Sequence, residues 1–122
     1  MAVRRLPIGP VAFLPHFGFV AVPVLPPHTL PDGTVARGAL VGRHEGRLVA
    51  YANLCRHLAI GLDLGDGNVM DDDGVHLRCH HHGAVFEPAE GRCIVGPCYQ
   101  RQLWPWKLEE DLFGQAWLLV GS

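Results

Sequence analysis

The sequence contains no run of 18 apolar residues, which removes any reading as a membrane-spanning helix. It has no basic run either. Ten Lys and Arg stand against twelve Asp and Glu, scattered along the chain with a formal net charge of −2, so there is no electrostatic footprint for nucleic acid. Four cysteines in 122 residues are too few for a disulfide scaffold, and a reducing cytoplasm is the expected setting. Arg4 and Arg5 lie near the N-terminus, but prolines at 7, 10, 15 and 23 interrupt the apolar residues after them, which makes a poor signal-peptide core. Internal repeats and low-complexity tracts are absent, and no stretch of ten residues carries a 3.6-residue apolar period. At this length the expectation is one domain, residues 1–122, burying about two-thirds of its unfolded surface.

What remains is strand chemistry punctuated by turns. Residues 1–34 are proline-rich, and FGFVAVPVL (17–25) is their only strand-like run, with Pro23 arguing for an edge position or a bend. PPHTLPDGT (26–34) reads as turn. Residues 35–42 and 48–53 read as a β-hairpin closed over 43–47, with Gly46 supplying a positive φ. Short strands are expected at 75–78, 84–86, 93–95, 103–108 and 116–120, the last two forming a hairpin across EEDLFG (109–114). The connection over 61–74 has four glycines and five acidic residues and reads as irregular, with Asp71, Asp72 and Asp73 at a solvated tip. Many short strands and no helix period predict an all-β domain, a sandwich or barrel-like antiparallel fold. Trp104, Trp106, Trp117 and Phe113 on the C-terminal strands are expected in the core rather than on a docking platform.

Within residues 53–98 lie two pairs of metal-ligating residue types on loops between strands. Cys55 and His57 form a C-x-H box, Cys79 and His82 a C-x-x-H box, and 21 residues separate His57 from Cys79. A thiolate and an imidazole on each of two loops is the donor set of a mixed-ligand iron–sulfur centre, in which two Cys hold one iron and two His the other. His82 is chosen within HHH (80–82) for its spacing and for the following Gly83, which lets backbone approach a cluster closely. His80, which has the spacing of the first box, is the runner-up, and His81 would require a remodelled loop. Zinc also accepts two Cys and two His, but zinc-finger spacing groups like with like, whereas here the residue types alternate. Cys93 and Cys98 admit two readings, a disulfide or redox pair beside the centre, or two small buried side chains. The second is the expectation for a chain in a reducing compartment.

With both boxes placed, residues 55–57 and 79–97 resemble a Rieske [2Fe-2S] domain, the likeness resting on C-x-H, C-x-x-H-G, Phe86 and Glu87, Gly91, and Gly96 with Pro97. The resemblance implies a Rieske-like antiparallel β-sandwich carrying a small subdomain of two cluster-binding loops, about 53–98. It implies one [2Fe-2S] cluster per chain, with Cys55 and Cys79 as thiolate ligands of the inner iron and His57 and His82 as imidazole ligands of the outer iron. Gly96 and Pro97 would form the loop that covers the cluster. Leu58 and Ala59 follow the first His where the family has Gly, Arg56 replaces a common Pro, and the segment between the boxes is long. The disulfide that links the two ligand loops in high-potential members is missing, since Ile60 and His81 occupy its positions.

The implied function is a one-electron carrier, similar to the ferredoxins of multicomponent oxygenases, between a flavin reductase and a terminal oxygenase or reductase. The chain is not expected to be an enzyme by itself, nor to bind nucleic acid or membrane. Alternatives are the small subunit of an assimilatory nitrite reductase and a metal-stabilised binding module without redox role. Two neutral imidazoles in place of two thiolates lower the negative charge at the centre and raise its potential above all-Cys clusters. High-potential relatives add hydroxyl donors where this chain has Ala84 and Phe86. Losing two bonds to a charged acceptor, at most roughly 1.5–3 kcal/mol each, moves a one-electron couple on the order of 100 mV. The expected potential therefore falls at the low end of the family range of about −150 to +300 mV.

Overall fold

The computed structural model describes residues 3–55, 60–98 and 100–121. Nine strands account for its regular structure: β1 (Arg4–Pro10), β2 (Gly18–Thr29), β3 (Val35–His44), β4 (Arg47–Ala52), β5 (Leu77–Arg78), β6 (Val85–Phe86), β7 (Cys93–Val95), β8 (Pro105–Glu110) and β9 (Gln115–Val120). Among the described residues the only helical piece is a 3-10 turn at Val11–Phe13. The strands form a six-stranded antiparallel sheet in the order β1-β9-β8-β4-β3-β2 and a three-stranded sheet in the order β5-β6-β7. The all-β expectation therefore stands.

The β3–β4 hairpin is the centre of the large sheet. Glu45 and Gly46 both take positive φ, at 50° and 77°, the two-residue turn whose twist matches the flanking strands. From there six successive pairs, His44↔Arg47 to Ala39↔Ala52, fix the register. Alternation then divides the hairpin between two cores. Ala39, Val41, Ala50 and Ala52 face one with Leu118, Val120 and Trp106, whereas Leu40 and Tyr51 face the other. That second core holds Leu62, Val69, Leu77, Phe86 and Leu103 together with all four cysteines. The large sheet thus serves as the floor on which the 53–98 region is built.

Three local expectations change. Residues 4–10, read as irregular because of Pro7 and Pro10, form β1 at one edge of the sheet, antiparallel to β9. An edge strand tolerates the two missing donors, and the register shifts between Pro7 and Gly9. Pro23 does mark an edge and an irregularity, since β2 is the opposite edge strand and its register shifts between Pro23 and His28. The strand nevertheless resumes as far as Thr29, which narrows the expected turn to Leu30–Thr34, closed by bonds between Leu30 and Thr34 and from Gly33 N–H to Leu30 C=O. The third change concerns the aromatics. Trp106 is buried and Trp104 half-buried, but Phe113 is 93 % exposed at the tip of the β8–β9 hairpin. Trp117 lies half-buried under the Arg5 guanidinium, 4.2 Å from the ring centroid, and its Nε1–H donates to Asp111.

Candidate metal centre

Cys79 follows β5 directly, and the chain reverses over the next four residues. Cys79 N–H donates to Ala84 C=O and Gly83 N–H to Cys79 C=O, both at 2.8 Å, with Gly83 at φ 76° completing the turn. This reversal aims the N–H groups of His81 and His82 at the Cys79 sulfur. Cys55, reached directly from β4, arrives beside it. Both thiols are free, buried and hydrogen-bonded to each other. That contact first, and burial second, hold the Cys79 thiol well above its ordinary value. Its protons would have to leave on metal binding, so uptake of metal should be favoured by rising pH.

The three histidines of the turn are used differently. His80 Nε2–H donates to Met70 C=O at 3.0 Å, and His80 N–H donates to Leu62 C=O. His81 Nε2–H donates to Asp63 C=O at 3.0 Å. These two rings tether the 61–74 loop to the turn, a role the sequence reading missed. His82 is exposed. His57, the fourth expected ligand, lies outside the described residues, so the structure brings together Cys55, Cys79 and the backbone of His82.

The surrounding loops are organised by polar side chains bonding backbone. Asp63 accepts from Gly65 N–H, Gly67 N–H and Asn53 Nδ2, while Asn53 Oδ1 accepts from Leu62 N–H. Burial raises the Asp63 carboxyl, yet those bonds outweigh it and leave it below its ordinary value. Glu87 takes the N–H groups of Ala89, Glu90 and Arg92 and shapes the β6–β7 connection. The Asp-x-Gly spacing at 63–65 was the available signal for such a turn. Tyr51 ties this region to the floor, its buried hydroxyl donating to Pro88 C=O at 2.7 Å. Burial first, and then the charges of Glu87 and Glu90, push that phenol far above its usual value.

Gly96, at φ 106°, brings the loop after β7 onto the turn so closely that a Cβ there would stand 2.9 Å from Ala84 Cα. Beneath it Cys98 Sγ–H donates to Cys93 Sγ at 2.9 Å, and the Cys98 thiol also contacts Cys55. Burial, followed by the bond to Cys93, pushes the Cys98 thiol up to about 12. The donor set fits a [2Fe-2S] cluster of the mixed-ligand kind: two adjacent buried thiols on the inner side, an imidazole on the solvent side, and a glycine that allows backbone approach.

A family model described as the Rieske [2Fe-2S] domain matches residues 21–110. No curated protein matches the chain. Among solved structures, the ferredoxin of carbazole 1,9a-dioxygenase from Nocardioides aromaticivorans IC177 superposes with a TM-score of 0.64 at 19% identity, covering 93% of this chain and 95% of that one. The terminal oxygenase of carbazole 1,9a-dioxygenase from Novosphingobium sp. KA1 gives 0.69 at 21% identity, covering 98% of this chain. A chain from a fluorene-bound complex of oxygenase and ferredoxin of carbazole 1,9a-dioxygenase gives 0.72 at 14%. The chain spans 30% of the length of the second match and 29% of the third. At these identities the likeness is one of fold.

Proposed function

The chain belongs to the Rieske [2Fe-2S] domain family, and from that premise we propose that it is a one-electron carrier, the ferredoxin component of a multicomponent oxygenase or a similar redox system, and not an enzyme by itself. The observation that carries this reading is the asymmetry of the centre. Cys55 and Cys79 are buried in mutual contact against the sheet floor, while His82 stands exposed on the same turn. Burial on one side and exposure on the other is the arrangement a carrier needs, with the redox group held firmly but reachable at one edge.

The proposed ligands are Cys55, His57, Cys79 and His82, one cluster per chain, within a single domain whose cluster-binding part is about 53–98. When bound, the cluster supplies a reversible one-electron couple. The remaining work belongs to the chain. His81 and His82 N–H groups aimed at the Cys79 sulfur would stabilise the thiolate that a ligand must become. His80 and His81, held by carbonyls of the 61–74 loop, keep the turn in place and are not offered as ligands. Ala84 and Phe86, both fully buried, present no hydroxyl to the centre, which supports a potential at the low end of the family range. Such a potential suits accepting an electron from a flavin reductase and passing it to a terminal oxygenase in the cytoplasm.

The match along 95% of a ferredoxin's own length supports the carrier reading. Among the described residues no helix is long and apolar enough to cross a membrane. Protein-film voltammetry at neutral pH tests the proposal. A reversible one-electron wave with a midpoint below zero is expected. A midpoint above zero, or no wave in protein that contains iron and sulfide, would overturn it.

A further inference from the structure

Four buried sulfurs form a continuous chain from the ligand turn into the covering loop. Cys79 contacts Cys55, and Cys55 contacts Cys98. Cys98 Sγ–H donates to Cys93 Sγ at 2.9 Å, and Cys93 Sγ–H donates to Val95 C=O at 3.2 Å. The proposed function uses the first two sulfurs and leaves the last two unexplained.

The second pair is held by its backbone as well as by side-chain packing. Cys93 lies on β7 opposite Phe86. Its N–H donates to Arg101 C=O and its C=O accepts from Gln100 N–H, while Arg101 N–H donates to Cys98 C=O. With both backbones held, the sulfurs separate only by rotation about their Cα–Cβ bonds, which burial among packed side chains opposes. Closing from 2.9 Å to a bond of about 2.05 Å needs a movement under about 1 Å. The segment between them, residues 94–97, is exposed, so the buried pair lies one layer beneath a solvent-facing loop.

We propose that Cys93 and Cys98 are a reversible dithiol–disulfide pair that closes a six-residue ring around Gly96 and Pro97 and, in doing so, removes the Cys98 thiol proton beside Cys55. The oxidant class is a small disulfide, RSSR. One thiol of the pair, once deprotonated, attacks one of the RSSR sulfurs, the RS–SR bond breaks, and the first RS⁻ leaves as RSH with that thiol's proton. The other thiol then attacks the protein sulfur of the mixed disulfide, the Cys93 Sγ–Cys98 Sγ bond forms, and the second RSH departs with the second proton. Two thiols and one RSSR give one protein disulfide and two RSH, with two electrons passing to the RSSR. This departs from the sequence expectation of two inert packed thiols. The pairing stands on the sulfur geometry alone, and its coupling to Cys55 rests on the cluster reading above.

Cys55 as a ligand thiolate would offer the Cys98 S–H, which donates to Cys93 in this structure, a stronger acceptor, and a donor to a ligand sulfur favours the more negative, reduced centre. The disulfide state has lost that proton, so its cluster midpoint should be lower.

The test equilibrates holoprotein anaerobically in glutathione buffers from fully reduced to fully oxidised, starting once from each extreme. Each sample is then acid-quenched, alkylated with N-ethylmaleimide and digested with trypsin. Cleavage after Arg92 and Arg101 releases residues 93–101 as one peptide containing both cysteines. That peptide should pass from doubly alkylated to an unalkylated form about 2 Da lighter than the dithiol, converging from both starts. Double alkylation at every poise would overturn the proposal, as would a Cys55–Cys98 link in its place. Cys93→Ser should abolish the unalkylated form while iron content is retained, and Cys98→Ser provides the same check if the first variant fails to fold. Voltammetry should give a lower midpoint for the disulfide form, with no such difference in Cys93→Ser. Equal midpoints in the two wild-type forms would reject the coupling to Cys55, whatever the peptide map gives.

Discussion

The six-stranded sheet and the region over residues 60–98 are both well packed, but they are held by different means. In the sheet, β2 and β3 run twelve and ten residues, and antiparallel ladders, interrupted between Pro23 and His28, hold β3 to both of its neighbours. In the other region β5 and β6 have two residues each and β7 three. Order there comes from carboxylates bonded to backbone N–H groups, from two histidines bonded to carbonyls, and from four cysteines sharing a core. The expectation is that the sheet carries its own cohesion and that the 60–98 region depends on what its sulfurs hold. The entropy of ordering glycine-rich loops is large, and short strands alone offset little of it.

Removing the metal should separate the two regions most clearly. Hydrogen exchange on protein stripped anaerobically and returned to neutral pH should find residues 60–66 and 79–98 at least about a hundredfold less protected than in the holoprotein. Val41 and Ala50, paired in the centre of the sheet, should change little. Equal protection with and without the cluster would contradict the division into a self-sufficient sheet and a metal-dependent region.

Two glycine substitutions probe the same division. A Cβ on Gly42 would overlap the Gly18 carbonyl oxygen and stand 2.8 Å from Phe19 Cα, forcing β2 away from β3. Gly42→Ala should therefore cost about 3 kcal/mol in urea unfolding, in apo and holo protein alike. Gly96→Ala meets Ala84 Cα at 2.9 Å from a φ of 106°, so it strains the covering loop and the turn beneath it but touches no strand of the six-stranded sheet. It should leave apo stability within about 0.5 kcal/mol and shorten the lifetime of the bound cluster several-fold. A comparable loss of apo stability in both variants would show that the loop is part of the cooperative sheet.

A milder consequence falls on the joint between the regions. Tyr51→Phe removes the bond to Pro88 C=O and should cost about 1 kcal/mol. The folded phenol titrates above its unfolded value, so the stability it contributes is fully present below about pH 10 and drains away as pH rises beyond it. Wild type should lose stability over that alkaline window more steeply than Tyr51→Phe. Parallel pH profiles would deny the hydroxyl this role.

Much of this was legible in the sequence, for identifiable reasons. The β3–β4 hairpin was clear because Gly46 marks the turn and Leu48, Val49 and Tyr51 are good strand formers. Cys93–Val95 was placed as a strand with the bounds it has. The strand at 4–10 was hidden because prolines suppress a strand reading, and only pairing with β9 reveals that they sit on an edge strand, where prolines are tolerated. Phe113 was misplaced because its aromatic type was weighed above its position inside EEDLFG (109–114), the stretch read as the hairpin connection. The two boxes were visible as residue types at a spacing, but the separate duties of His80 and His81 depend on where the 61–74 loop passes, which no local pattern encodes.

Whether the centre is a Rieske cluster held through His82 is decided by metal analysis and EPR on protein purified anaerobically, beside His82→Ala and His80→Ala. Iron and acid-labile sulfide should each approach about two per chain in wild type, with a Rieske-type signal on reduction that survives His80→Ala and is lost in His82→Ala. About one zinc with no sulfide, or a signal lost in His80→Ala and kept in His82→Ala, would contradict the account.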